Sequence, residues 1–440
     1  MKITLFLLAG GLLAVTACQP KPEGTATSVA TADTTLQLPA PYATKSAVHF
    51  SDVTGWPAGK TPTAPAGFTV SEFAGDLQSP RWMYEGPNGD IFVAESNTER
   101  TGIKAKAKSL VTGQGKSEHN GASPNRIIVL RDTNRDGKPD LRETFLTGLN
   151  QPFGMLILDN HFYVANTDGL LRYPYKPGQT RLTGPGQKVM DLPAGGYNNH
   201  WTRNLLASPD GAKIYVTVGS GSNVQEHGAA NEVRRAAILE INPDGTGERI
   251  YANGLRNPVG MDWQPGTQTL YTAVNERDEL GDDLVPDYLT SVKEGAFYGW
   301  PYAYYGQNED PRRKGERPDL VKKAVVPDVA LGAHTASLGL AFYDQKAGTA
   351  TSFPAKYRNG AFIGQHGSWN RSTFSGYKVV FVPFAGGKPG KPEDFLTGFV
   401  ASDEDKKVYG RPVGVTVASD GALLVTDDAS NKIWRVSATR

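Results

Sequence analysis

The feature of the sequence that most constrains its fold is a pattern that occurs six times. Each copy has a short anchor, an apolar run, a turn, a second apolar run and a polar cluster. The copies cover residues 79–96, 151–168, 200–223, 256–278, 336–370 (with an insertion at 345–358) and 411–431. Repeats at intervals of roughly 50–80 residues, built from strand-length runs rich in β-branched and aromatic residues, indicate the blades of a β-propeller.

The repeat therefore predicts an all-β fold, a six-bladed β-propeller of four-stranded antiparallel blades over residues 46–440. Turn sequences such as P-N-G, P-D-G and S-D-G connect the paired runs. The segment TVSEF at 69–73 is expected to supply the outer strand that closes the ring with the last copy. The sequence contains no convincing long amphipathic helix.

Charge and cysteine content exclude several function classes. With 46 basic and 45 acidic residues the net charge is +1, which gives no electrostatic footprint for nucleic acid and no polybasic membrane patch. The single cysteine, Cys18, rules out a disulfide within the chain and a cysteine-based metal site. No C-x-x-C-H haem attachment motif is present.

The first 18 residues predict export. A lysine followed by an apolar run and small residues is typical of a signal peptide, and V-T-A-C at 15–18 resembles the bacterial lipobox, with Cys18 as the lipidated residue. The alternative is an ordinary signal peptide with a chance cysteine. Residues 19–45, rich in Thr, Ala and Pro, are expected to form a flexible tether. We expect a lipid-anchored protein, in the outer membrane and facing the periplasm, since Gln19 follows the cysteine.

Polar residues of all six copies are expected to meet on one face of the ring. In an antiparallel hairpin the start of the first strand and the end of the second lie at the same edge. Several arginines beside His200 predict an anionic ligand, and the acidic stretch at 275–283 offers oxygen ligands for Ca²⁺. Interlocking ion pairs between blades are the alternative interpretation.

A second candidate cation site lies in 132-DTNRDGKPDLRE-143, which fits the D-x-[DN]-x-[DN]-G-x₅-E pattern. We place this loop between the first two blades. Its flanks are not helical on both sides, so an EF-hand is not expected. The choice is between a structural Ca²⁺ and an unoccupied Asx-rich turn. The ligands would be Asp132, Asn134, Asp136, the Lys138 carbonyl, Asp140 and Glu143.

The motifs NHWTRNL, GLRNPVGMDW, NERDELGDDLVPDYLT, HGSWNRSTFSGYKVVFVPF and YGRPVGV resemble the soluble glucose/sorbosone dehydrogenase family, in particular its sorbosone and pyranose dehydrogenase branch. The similarity runs from about residue 65 to the end of the chain. It implies a six-bladed propeller that uses pyrroloquinoline quinone (PQQ) and Ca²⁺. No G-x-G-x-x-G fingerprint follows a strand, so no nicotinamide site is visible.

The resemblance also implies roles for individual residues. His200 matches the general base that takes the hydroxyl proton of the sugar. The calcium at the PQQ site would be held by Asn275, Glu276, Arg277 and Asp278. The PQQ carboxylates and dione would be surrounded by Arg81, Arg203, Asn223, His366, Arg371 and Arg411. Two departures from the glucose dehydrogenases stand out: Asn199 replaces an acidic residue before the histidine, and the calcium segment is more charged.

These features predict PQQ- and calcium-dependent oxidation of a sugar, sugar aldehyde or related polyol, with electrons passed to an external cytochrome or quinone. One alternative is a non-catalytic lipoprotein that binds carbohydrate or a partner protein. Another is a calcium-dependent lactonase-type hydrolase, which would have an acidic shell around its metal. The arginines at 81, 203, 371 and 411 argue against the hydrolase.

Overall fold

The computed structural model describes residues 24–32, 34–99, 114–117, 121–343 and 351–439. The predicted signal peptide and Cys18 lie outside these residues. Within the described part, five four-stranded antiparallel sheets and one five-stranded antiparallel sheet follow one another along the chain, and we number these sheets 1 to 6.

The strands of the first three sheets each follow chain order. Sheet 1 contains Pro80–Glu85, Ile91–Glu95, Arg126–Arg131 and Leu141–Leu146. Sheet 2 contains Met155–Leu158, His161–Asn166, Gly169–Pro174 and Gln187–Asp191. Sheet 3 contains Leu205–Ala207, Ile214–Val218, Ala237–Ile241 and Arg249–Asn253.

The last three sheets carry longer connections. Sheet 4 contains Pro258–Trp263, Leu270–Val274, Pro286–Ser291 and Val329–Ala333. Sheet 5 contains Ser337–Phe342, Gly360–Gln365, Lys378–Ala385 and Glu393–Leu396, with Lys388–Pro389 added beside its third strand. Sheet 6 contains Pro412–Val417, Leu423–Asp427, Lys432–Ala438 and Phe68–Ala74.

The remaining elements are short. The additional strands are Thr27–Ala30, Thr35–Leu38, Asp52–Val53, Ala303–Tyr304, Asn308–Glu309, Val400–Ser402 and Lys407–Val408. The helical turns are Gln114–Ser117, Ala229–Glu232, Pro311–Arg313, Pro318–Val321 and Ala355–Tyr357. The all-β prediction is confirmed. None of the helices in the described ranges has the length and apolar character needed to cross a membrane.

The six sheets are arranged as in a β-propeller. The first strand of each sheet contacts the first strand of the next, and that of sheet 6 contacts that of sheet 1. Glycines make this approach possible. A Cβ on Gly260 would lie 2.6 Å from the Leu340 nitrogen, and one on Gly339 would lie 2.2 Å from the Val413 oxygen. Because real Cβ atoms do not approach backbone so closely, the glycines in these first strands let neighbouring sheets meet at the axis.

The hydrophobic core lies between the faces of neighbouring sheets. Phe92 and Phe145 of sheet 1 pack on Phe162 of sheet 2, with ring centroids 4.6–5.0 Å apart. Each of these rings is completely buried. Burial of one such side chain contributes about 1.5–3 kcal/mol, so the stacked sheets stabilise the frame that carries the polar face.

The N-terminal part of the domain confirms one prediction and corrects another. Phe68–Ala74 pairs with Lys432–Ala438, as expected for a strand that completes the last sheet. The tether prediction is wrong for the described residues of 19–45. There, Thr27–Ala30 and Thr35–Leu38 form a hairpin, because Val29 and Leu38 are buried against the tyrosine-rich core of sheet 4.

Candidate functional site

Polar residues from the ends of several strands surround a cavity of about 520 Å³. Many of the predicted site residues line it, and they come from sheets 1, 3, 4, 5 and 6. These residues are Arg81, His200, Asn223, Asn275, Asp278, His366 and Arg411, joined by Arg256. Residues separated by more than 300 positions in the chain, such as Arg81 and Arg411, therefore surround one space.

His200 is half-buried in the cavity wall, just before the first strand of sheet 3. Its Nδ1 lies 2.8 Å from the Ser220 carbonyl oxygen and 3.0 Å from the Ser220 hydroxyl. A carbonyl only accepts, so Nδ1 carries the proton and Nε2 keeps its lone pair. Desolvation and the nearby Arg256 guanidinium lower the pKa of His200 well below the ordinary value. The imidazole is therefore neutral at neutral pH and able to accept a proton.

The loop at residues 220–222 hydrogen-bonds His200 and is itself held by the buried carboxylate of Glu232. Glu232 accepts hydrogen bonds from the Gly221 nitrogen at 2.7 Å and from the Ser222 hydroxyl at 2.5 Å. The Ser222 carbonyl in turn accepts from the Ser220 hydroxyl. Glu232 was not predicted from the sequence, since its 3-10 turn lies outside the repeated pattern.

Arg203 and Arg371 do not line the cavity, which corrects the prediction for both. Arg203 is completely buried and donates to the carbonyl oxygens of His200 and Pro193, so it holds the chain around the histidine. Arg371 donates to the Asp282 carbonyl and to an Asp283 carboxylate oxygen that is largely exposed. Its guanidinium is therefore bonded to the neighbouring Asp282 and Asp283.

Facing the same cavity, His366 forms a buried network with Asp428 and Arg81. Asp428 accepts from His366 Nε2 at 2.8 Å and from Arg81 Nη1 at 2.5 Å. Burial, reinforced by Arg411, lowers the pKa of His366 to about 4. Burial alone would raise the pKa of Asp428, but His366 and Arg81 hold it below its usual range. Asp428 was not predicted from the sequence, and the adjacent Asp427 has a different role.

Asp427 instead accepts hydrogen bonds from residues that hold the cavity wall in place. It accepts from the Arg411 nitrogen at 2.7 Å and from the Trp56 indole at 2.8 Å. The Arg411 guanidinium donates to the carbonyl oxygens of His366 and Gly367, at 3.0 and 3.1 Å. Arg411 thus faces the cavity from a fixed position.

The segment predicted to hold calcium is bonded to arginines. Arg256 donates to the carbonyls of Asn275 and Glu276, and Arg312 donates to the Asp278 carbonyl. The side chains of Glu276 and Arg277 do not line the cavity. They form a completely buried ion pair at 3.0 Å, which Asp310 extends on the other side of the guanidinium. Nowhere among the described residues do three His, Cys, Asp or Glu side chains form a group suited to a metal ion. A calcium ion on the main-chain carbonyls would in turn lie beside the guanidiniums of Arg256 and Arg312, so calcium does not fit these four residues as they are arranged.

The Asp132–Glu143 loop connects the third and fourth strands of sheet 1, so its predicted place between two blades is wrong. Its side-chain oxygens accept backbone hydrogen bonds. Asp132 accepts from the Asp136 and Gly137 nitrogens, at 3.2 and 2.8 Å, and Asp140 accepts from the Thr133 nitrogen at 3.2 Å. These contacts are those of the Asx-rich turn, the second of the two interpretations. A bound Ca²⁺ in this loop stays a prediction.

The wall also contains an N-terminal segment that the repeat pattern did not indicate. Ser46, Val48 and Phe50 line the cavity, and Phe50 stacks on Trp369 at 5.5 Å. Val48 and the cavity-lining Tyr197 are 57% and 45% exposed. The cavity entrance therefore offers apolar and aromatic surface above a cationic floor, an arrangement suited to a small polar ring compound.

The cavity suits PQQ, a planar quinone with three carboxylates. Its volume lies within the range typical of small-molecule sites. Three arginines line it, and Arg81 has a buried Nε with no hydrogen-bond partner. A carboxylate of the ligand would satisfy that donor, and arginine is the side chain best suited to planar recognition of carboxylates.

Comparisons with known proteins show which proteins the chain is similar to. The model of the glucose/sorbosone dehydrogenase family matches residues 163–369, and a TrAA12-like model matches 308–439. An uncharacterized protein of Borreliella burgdorferi is 29% identical over 386 residues, which cover 84% of this chain and 89% of that protein.

A PQQ-dependent pyranose dehydrogenase of Coprinopsis cinerea is 24% identical over 431 residues. The match covers 84% of this chain and 53% of the enzyme, so the chain spans about half of the enzyme's length. The solved holo PQQ domain of pyranose dehydrogenase from the same fungus superposes with a TM-score of 0.68 at 19% identity, covering 88% of this chain and 100% of that domain. This structural likeness shows a shared fold.

The glucose/sorbosone dehydrogenase match spans the residues that carry His200, the 275–278 segment and His366. Over this segment, which is a little under half of the chain, the sequence is similar to the glucose/sorbosone dehydrogenase family, and the shared fold agrees with that similarity.

Proposed function

We propose that the protein oxidises a sugar, a sugar aldehyde or a related polyol with PQQ and passes the electrons to an external acceptor. The proposal includes the architecture, in which the six sheets are the six blades of one propeller. The contacts of each first strand with the next support the blade count. The PQQ-dependent pyranose dehydrogenase of Coprinopsis cinerea supports the choice of cofactor and substrate class.

The observation that carries the proposal is the state of His200 in a cavity lined by arginines. His200 Nδ1 donates its proton in a hydrogen bond to the Ser220 carbonyl oxygen. Nε2 is therefore the atom that takes the proton from a sugar hydroxyl. When bound, PQQ accepts the two electrons that leave the sugar carbon as hydride. The arginines compensate the negative charge of the cofactor, and the aromatic entrance orients the sugar ring. Calcium at Asn275–Asp278 is left out of the proposal because Arg256 and Arg312 already place positive charge beside those carbonyls.

The experiment compares His200→Ala with His161→Ala in PQQ binding and in sugar-dependent reduction of an artificial electron acceptor. His161 lies on sheet 2, is not among the residues that line the cavity, and provides a matched control. We expect His200→Ala to bind PQQ as the wild type does and to lose at least about a hundredfold in turnover, the usual contribution of a general base. His161→Ala should retain both properties.

Two outcomes would contradict the proposal. If PQQ does not bind to the wild type, the cavity serves another anionic ligand. If His200→Ala turns over sugar at the wild-type rate, a different residue accepts the proton.

The cellular location is a separate proposal. We propose that the protein is exported and anchored by a lipid on Cys18, as the sequence of residues 15–18 suggests. Labelling of cells with radioactive palmitate should mark the wild type and leave Cys18→Ser unlabelled. Equal labelling of both proteins would refute the anchor.

A further inference from the structure

A guanidinium occupies the position at which a divalent cation was expected. Arg256 lies two residues before the first strand of sheet 4, and its exposed fraction is 1%. Its three nitrogens donate to six oxygen atoms of three cavity-lining residues and Glu276. The acceptors are the Asn223 carbonyl (3.3 Å) and Oδ1 (2.9 Å), the Asn275 carbonyl (3.3 Å) and Oδ1 (3.4 Å), the Glu276 carbonyl (2.6 Å) and Asp278 Oδ2 (3.2 Å).

This set of oxygens is of the kind that binds Ca²⁺ in proteins. Ca²⁺ takes six to eight oxygens from carboxylates, amide side chains and backbone carbonyls. All three kinds are present around Arg256. Here the same oxygens satisfy a cation that belongs to the chain, and a guanidinium keeps its charge at any accessible pH.

The oxygens are fixed by further contacts, so the set is built around Arg256. The Trp300 indole donates to the Asn223 carbonyl at 2.9 Å. Arg312 donates to the Asp278 carbonyl at 3.0 Å, and His334 Nδ1 lies 3.3 Å from Asp278 Oδ1. A calcium ion bound here would have to take these oxygens from the Arg256 guanidinium. The ion and the guanidinium would then be two positive charges buried side by side. Removing a buried charge from its partners is strongly unfavourable.

We propose that Arg256 is the resident cation of this cavity and that the site binds its anionic cofactor without a divalent metal ion. This inference rests on the proposed function for the identity of the cofactor. Arg256 would supply the fixed positive charge beside the cofactor that calcium was expected to supply. The predicted calcium dependence of the reaction would then be absent.

The first measurement is the affinity of the chelator-treated full-length protein for PQQ, with excess EGTA and with about 1 mM Ca²⁺, the weak end of calcium affinities in proteins. We expect the two dissociation constants to agree within about twofold. Tightening by Ca²⁺ of more than about tenfold would overturn the inference.

A second measurement decides the question even if PQQ does not bind, in which case the proposed function fails by itself. Ca²⁺ alone is titrated by calorimetry into a protein carrying Asp132→Asn and Asp136→Asn, which removes the other candidate cation loop. We expect no binding, or binding that is unchanged when Asp278→Asn is added. One-to-one binding that Asp278→Asn abolishes would place Ca²⁺ among the Arg256 oxygens and refute the inference.

Discussion

Asp428 provides the sharpest test of the buried network in the cavity wall. It is completely buried and accepts from His366 Nε2 through one oxygen and from Arg81 through the other. In Asp428→Asn the side chain keeps its shape but loses its charge. One of its two positions becomes an amide NH₂, which faces either the Arg81 donor or the His366 donor. The variant therefore leaves a nearly buried guanidinium without its counter-charge.

Breaking a buried ion pair by removing one partner costs about 3–5 kcal/mol, so we expect this loss in the free energy of unfolding of Asp428→Asn. Asp420→Asn is the matched control. Asp420 pairs with Arg435, but its side chain is 49% exposed, and such pairs contribute less than about 1 kcal/mol. Urea unfolding at neutral pH, followed by tryptophan fluorescence, measures both variants. If both variants lower the free energy of unfolding by less than about 1 kcal/mol, the network does not stabilise the cavity wall and the prediction is wrong.

Two further predictions address the base and the packing of the sheets. Because burial and Arg256 lower the pKa of His200 well below 6.5, the imidazole loses its proton at a lower pH than an ordinary histidine. We expect kcat/KM for sugar oxidation to stay constant from about pH 8 to pH 6.5 and to fall only below it, and a fall centred at or above 6.5 would contradict the assignment. Gly339→Ala should lower the free energy of unfolding by about 1–3 kcal/mol, because its Cβ would meet the Val413 oxygen at 2.2 Å. Gly195→Ala, whose Cβ would have nothing within 4 Å, should change it by less than about 0.5 kcal/mol, and equal effects would refute the close-packing argument.

The sequence alone determined the architecture to a large extent. Each copy of the repeat gives the first two strands of one sheet, and TVSEF lies in the strand that pairs with the end of the chain. Strand pairs are set by local patterns of apolar residues and turns, which can be read directly. The placement of His200, His366 and Arg411 on one face followed from the same local rule, because a hairpin brings its two open ends to one edge.

Only the tertiary structure decided which of these polar groups are available to a ligand. Arg203 and Arg256 each lie shortly before the first strand of a sheet, and both are buried, yet only Arg256 lines the cavity. Asp427 and Asp428 are adjacent, and only Asp428 reaches His366 and Arg81.

The physical reason is that hydrogen-bond partners are chosen by distances between segments far apart in the chain. Arg81 and Asp428 are 347 positions apart, and Asn223 and Asp278 are 55 apart. A buried donor must find an acceptor, and which acceptor is near depends on how the sheets pack against one another. Residue type and spacing therefore predicted a cationic cavity with a histidine. The position of the Arg256 guanidinium among oxygens of the segment predicted to hold calcium was decided by the fold.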